Sequence, residues 1–123
     1  MNKMFAPPPK TNRIILNSVN YKVQVEFYEE LGMLFNEAIL ENGLKTFTYI
    51  YDDFHFEIHE VKLEDNASKN VELRFLIDEI QGYLEGIRQL NIQIIKNLWN
   101  SKNHQHILLK DIDGNLIELM TEK

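Results

Sequence analysis

The feature that most limits what this chain can become is a repeated order of elements. In the first half, Arg13–Ser18 alternates as a strand. Val23, Phe27 and Leu31 then recur at helical spacing, with Glu26, Glu29 and Glu30 on other faces and Gly32 placed to end the helix. Met33–Leu40 reads as a strand, Asn42-Gly43 as a tight turn and Lys45–Tyr51 as the returning strand. Asp52-Asp53 turns the chain into a further strand, Phe54–Val61. The second half runs the same way. Val71–Ile77 alternates, Asp78 and Gln81 match a helix capping box, and Ile80, Leu84 and Ile87 supply one apolar helix face. Gly82 and Gly86 interrupt that helix, for a close packing contact or by simple tolerance. Ile92–Ile95 follows as a strand, then a polar loop carrying Trp99, then a hairpin of His106–Lys110 and Leu116–Met120 across Asp113-Gly114.

Both halves therefore read β-α-β-β-β, at a spacing of roughly 60 residues that suggests internal duplication. Each half has one helix and a sheet that must bury one face, so pairing the halves completes a core neither would supply alone. The expected class is α+β, with two tandem βαβββ modules at about 13–63 and 71–121 in a single domain, 13–123. Glu64–Asn70 is the expected connection, and residues 1–12, with Pro7-Pro8-Pro9, an extended leader.

At 44% hydrophobic and 26% charged, the chain is too apolar for disorder. No apolar run approaches the roughly 18 to 20 residues that cross a bilayer, and the first residues lack a secretory pattern. With no cysteine, disulfides, thiolate catalysis and Cys-based metal sites are excluded. These features point to the cytoplasm and to no membrane partner. A net charge of −6 and scattered basic residues disfavour nucleic acid. Neither a Gly-x-Gly-x-x-Gly loop nor a phosphate loop is present.

Three stretches resemble the vicinal oxygen chelate family, the glyoxalase, bleomycin-resistance and extradiol-dioxygenase group. They are Val25–Gly32, with its Phe-Tyr pair and closing Leu-Gly; Phe75–Glu79, entering the second helix; and Asp111–Leu119, a closing turn and strand with Ile112 where the family usually has proline. They fall in the right order over nearly the whole chain. The resemblance implies paired modules forming a cupped mixed sheet that holds a small molecule. It also implies a homodimer, in which Arg13 and Glu57 face Glu72 and Glu118 of the neighbouring chain.

On the final strand, Leu116, Glu118 and Met120 share one face and Ile117 and Leu119 the other. Glu118 is either an ordinary strand carboxylate or, as the resemblance implies, the family's final metal-binding glutamate. His55, Glu57 and His59 share a face opposite Phe54, Phe56 and Ile58, and line either a polar cup or a solvated surface. The family's two remaining ligand positions fall on Arg13 and Glu72. A guanidinium has no lone pair for a metal, so Arg13 departs from the usual four-ligand set. Two arrangements follow. Arg13, with Arg74, pairs with the carboxylates and replaces a metal's charge, leaving guanidinium, His55, His59 and Trp99 for a ligand. Alternatively, Glu57, Glu72 and Glu118 hold a divalent cation such as nickel, zinc, iron or manganese, with His55 or His59 assisting. His104 and His106, two apart, share a strand face; with Trp99 they border a pocket or stand exposed beside an anchoring ring. Tyr21, Tyr28 and Tyr83 read as packing or surface residues.

The favoured expectation is a small-molecule binding protein of this family without its usual metal site. The alternative is a divalent-metal-dependent lyase or isomerase that stabilises an enediolate-like intermediate, with Glu118 or Glu57 as the catalytic proton carrier. Dioxygenase chemistry is disfavoured because both histidines of its usual ligand set are missing from the corresponding places.

Overall fold

A computed structural model describes residues 6–122; the start of the leader, residues 1–5, and Lys123 lie outside the described residues. The element order is β1 (Arg13–Ser18), α1 (Tyr21–Glu29), β2 (Asn36–Ile39), β3 (Lys45–Tyr51), β4 (Phe54–Glu60), a 3₁₀ turn (Glu64–Asn66), β5 (Glu72–Ile77), α2 (Gln81–Gln89), β6 (Ile94–Ser101), β7 (His104–Lys110) and β8 (Leu116–Thr121). The strands form two four-stranded sheets, β1-β4-β3-β2 and β5-β8-β7-β6. In each, the first strand lies parallel to the last of its own module and the remaining pairs are antiparallel. The fold is α+β with two βαβββ modules, as the repeat implied. Residues 6–12 are exposed and irregular, tied in where the Asn12 carbonyl accepts the His55 N–H at 2.8 Å.

Both helices end alike. Gly32 N–H donates to the Glu29 carbonyl and Met33 N–H to that of Tyr28, at 2.9 and 3.3 Å, the pattern of a Schellman motif. Gly32 takes φ +95°, which a side chain would disfavour, and Leu31 and Met33 bury beneath the turn. At α2 the same pair of bonds runs from Asn91 to Arg88 and from Ile92 to Ile87, with Asn91 at φ +58°. Because Met33 closes the helix, pairing begins only at Asn36, and β2 is shorter than the alternation of Met33–Leu40 suggested.

Three other local expectations are corrected. Asp78 does not cap α2: the helix starts at Gln81 after Ile80, and Glu79 Oε1 accepts the Gly82 N–H at 2.9 Å. Trp99 lies in β6, not in a loop. Register shifts between Ile94 and Lys96 and between Lys96 and Trp99 break the period-two pattern that would have revealed the strand. Val23 is exposed, and α1 instead buries Gln24, Val25, Phe27 and Tyr28.

The core joins both modules. Leu16, Phe56 and Ile58 of the first sheet and Ile107, Leu109, Ile117 and Leu119 of the second are buried, together with Phe27, Tyr28, Ile80 and Ile87 of the helical segments. Phe56 and Phe75 meet edge to face, with centroids 5.7 Å apart. Alternation along β1, β4, β5 and β8 then sends Arg13, His55, Glu57, His59, Arg74 and Glu118 to the faces opposite the core.

Candidate functional site: two arginine–glutamate–histidine clusters

On the first sheet, β1 and β4 run parallel and place Arg13 diagonally across from Glu57. Arg13 Nε and Nη2 donate to the two oxygens of Glu57, each at 3.0 Å, a bidentate pair. His59 Nε2 donates to Glu57 Oε1 at 2.7 Å, and His55 Nδ1 lies 3.6 Å from Oε2. Burial pushes the Glu57 carboxyl up, but the hydrogen bonds and charges of Arg13 and His59 outweigh it and hold the group below the usual carboxylate range.

The second sheet repeats the arrangement. Arg74 and Glu118 are direct partners across β5 and β8, and Arg74 Nε donates to Glu118 Oε1 at 3.0 Å. His106 Nδ1 donates to Glu118 Oε2 at 2.6 Å. In the neutral ring, Nε2 is then left to accept from the Ser101 hydroxyl, 2.6 Å away. Burial raises the Glu118 carboxyl, and His106 and Arg74 more than reverse that. Trp99 stacks on His106 with centroids 4.8 Å apart and 7° between planes, and Lys96 Nζ lies 4.2 Å from the indole centroid. Trp99 is thus engaged by protein partners and orders the histidine. Glu72 is exposed and lines a shallow depression with Arg74, Leu108 and Glu118. Among the described residues its side chain has no hydrogen bond or ion pair.

The structure thus joins Arg13 with Glu57, His55 and His59, and Arg74 with Glu118 and, through His106, with Trp99. It does not join the first set to the second within one chain. His106 is the residue that the sequence reading undervalued. It is buried and central, and the only sequence sign was its spacing from His104 beside a tryptophan.

The buried framework behind the clusters is polar. Asp111, at the start of the β7–β8 turn, accepts through Oδ1 from the N–H groups of Asp113 and Asn115, each at 2.9 Å. Its Oδ2 accepts from Gln24 Nε2 at 2.9 Å, Tyr28 OH at 2.7 Å and Asn115 Nδ2 at 3.0 Å. Gln24 Oε1 accepts the Ile112 N–H in return, and Asn115 Oδ1 that of Val71. Two of the stretches that carried the resemblance, the Phe27-Tyr28 helix and the Asp111–Asn115 turn, are therefore partners across the modules. Burial, then the charge of Asp111, drives the Tyr28 phenol well above its ordinary value.

Within one chain, these clusters present no preformed set of ligands for the divalent ion that the sequence resemblance implied. Arginine stands beside each glutamate and offers no lone pair. Both carboxylates are already engaged by a guanidinium and an imidazole. Among the described residues, no group of three or more His, Asp or Glu side chains is arranged to hold a metal. No helix among them is long and apolar enough to cross a membrane.

No family model matches the chain, and no curated protein matches it significantly. Solved structures do. An integron cassette protein from the mobile metagenome of V. cholerae superposes with a TM-score of 0.69 at 17% identity, covering 98% of this chain and 100% of that one. A virulence protein from Salmonella typhimurium gives 0.66 at 23% identity, covering 94% and 98%. Lactoylglutathione lyase from Agrobacterium tumefaciens gives 0.67 at 14% identity, covering 95% and 96%. At such identities the likeness speaks for architecture and not for activity. With its paired βαβββ modules, parallel β1/β4 and β5/β8 contacts and whole-chain superposition on a lactoylglutathione lyase, the chain has the vicinal oxygen chelate fold.

Proposed function

We propose that this protein binds a small anionic or oxygen-rich molecule in a cup formed between the first sheet of one protomer and the second sheet of its partner. Arg–Glu–His clusters take the place of the fold's metal centre. The observation that carries this reading is the paired neutralisation of Glu57 and Glu118, each held by an arginine and a histidine. A metal ion would have to displace both partners from each carboxylate. Arg74 commits only Nε to Glu118, and its terminal nitrogens have no hydrogen-bond partner among the described residues. They are available to ligand oxygens. The faces carrying the clusters also expose Ile15, Ile50 and Leu76, apolar surface suited to burial against a second copy. In this cup Arg13 and Arg74 orient the ligand, while the glutamates and histidines keep the guanidinium groups in place.

The test is metal content of untagged protein, followed by titration with nickel, zinc, iron and manganese, alongside sedimentation. The expected result is a dimer that takes up no stoichiometric metal, while Arg74→Gln lowers affinity for carboxylate or phosphate probes. Uptake of one divalent ion per cup, abolished by Glu57→Gln and by Glu118→Gln, would overturn it in favour of metal-dependent lyase or isomerase chemistry.

A further inference from the structure

A larger cavity than the depression beside Glu72 lies elsewhere, in the cleft between the modules on the core side, with a volume of about 670 Å³. That falls within the roughly 300–1,000 Å³ of small-molecule sites. Six aromatic rings line it: Tyr49, Tyr51, Phe54, Phe56, Phe75 and Tyr83. Phe56 is fully buried, whereas Tyr49, Phe54, Phe75 and Tyr83 are only half-buried and Tyr51 is 61% exposed. The ring surfaces are thus left uncovered where the two sheets and α2 converge.

The lining carries two carboxylates and one guanidinium. Asp78 and Glu122 stand exposed at the rim, and neither carboxylate has an ion-pair partner among the described residues. The one cation of the lining, Arg74, is ion-paired through Nε with Glu118 at 3.0 Å, which lowers but does not remove its charge toward the cleft. Asp78 lies close enough for its charge to act on the Tyr83 phenol, whose pKa is raised first by burial and then by that charge. Aromatic faces carry negative electrostatic potential and attract cations, particularly where water is partly excluded. Uncovered rings with two uncompensated carboxylates at the mouth favour a cation that also has apolar surface, and they repel an anion of the same shape.

We propose that the inter-module cleft is a binding site for a lipophilic organic cation. The aromatic rings hold its apolar body, and Asp78 and Glu122 provide the charge selection. Arg74 and Leu76 border both this cleft and the face of the proposed cup, while the aromatic rings, Asp78 and Glu122 line the cleft.

Tetraphenylphosphonium and tetraphenylborate have nearly the same size and opposite charge, so calorimetric titration of the full chain with each separates charge selection from simple apolar binding. The expected result is one phosphonium bound per chain and borate bound at least about tenfold more weakly. The double variant Asp78→Asn, Glu122→Gln lies on exposed positions and should fold as the parent does. It should lose roughly fivefold to twentyfold in phosphonium affinity and most of the charge preference. Tyr51→Ala should weaken phosphonium binding as well. Equal binding of the two ions, no phosphonium binding at millimolar concentration, or unchanged affinity in the double variant would each overturn the proposal.

Discussion

Glu57 and Glu118 are each held by an arginine and a histidine. Their carboxyls lie below the ordinary range in the folded chain because arginine and histidine hydrogen bonds outweigh burial. An unfolded glutamate titrates near about 4.3. As pH falls, the unfolded chain therefore takes up protons first. The stability these two groups contribute is full above about pH 4.3 and is lost as pH falls through their folded values. Asp113 acts in the opposite sense. Its pKa is raised by burial and by the charge of Asp111, so its contribution is present below about pH 3.9, the unfolded aspartate value, and is lost as pH rises through its folded value. Urea denaturation between pH 7 and pH 3.5 should show falling stability, with a shallower fall in the double variant Glu57→Gln, Glu118→Gln. Parallel pH curves for parent and variant would contradict that assignment. At this scale the family resemblance pointed to Arg13 and Glu118, comparison with the closing strand to Glu57, and a shared strand face to Arg74. The sequence did not disclose His106, because the partner that defines its role, Glu118, lies twelve residues away on the neighbouring strand.

At the scale of elements, α2 carries two glycines, Gly82 and Gly86. A Cβ at Gly86 would lie 3.0 Å from Glu30 Oε1, the mobile end of an exposed side chain. One at Gly82 would lie 3.3 Å from Glu79 Oε2, on the side chain that caps the helix. Tolerance is therefore the better account of Gly86. Gly86→Ala should stabilise the protein by up to about 1 kcal/mol, since alanine loses less backbone entropy in a helix and Glu30 can move aside. Thermal denaturation measures this, and a lower Tm would show that the close approach to α1 is required. The elements most poorly legible were those whose pattern is broken by local hydrogen bonding. Bulges in β6 disrupt its alternation, and closure of α1 takes Met33 out of β2. Lys45–Tyr51 and Arg13–Ser18, with regular ladders and clear turns, matched the structure residue for residue.

For the whole molecule, the link between modules runs through Asp111. Tyr28→Phe removes the phenolic hydrogen bond to a buried carboxylate while leaving the ring contacts with Phe27, Phe56 and Phe75. A hydrogen bond to a charged group is worth about 1.5–3 kcal/mol, so equilibrium denaturation should show a loss of that order. A loss below about 0.5 kcal/mol would mean that Asp111 is satisfied by Gln24 and Asn115 alone. The duplicated order of elements, the α+β class and the sidedness of each strand follow from periodicity and turn chemistry along the chain, because these are local properties of the backbone. Which side chains meet was decided only by the tertiary structure. Asp111 reaches back to α1 across 83 residues, each glutamate finds its arginine across 44, and the uncovered rings gather in a cleft between modules. Such meetings depend on how two sheets and two helices pack, and that packing is set by buried area and shape, which no local pattern records.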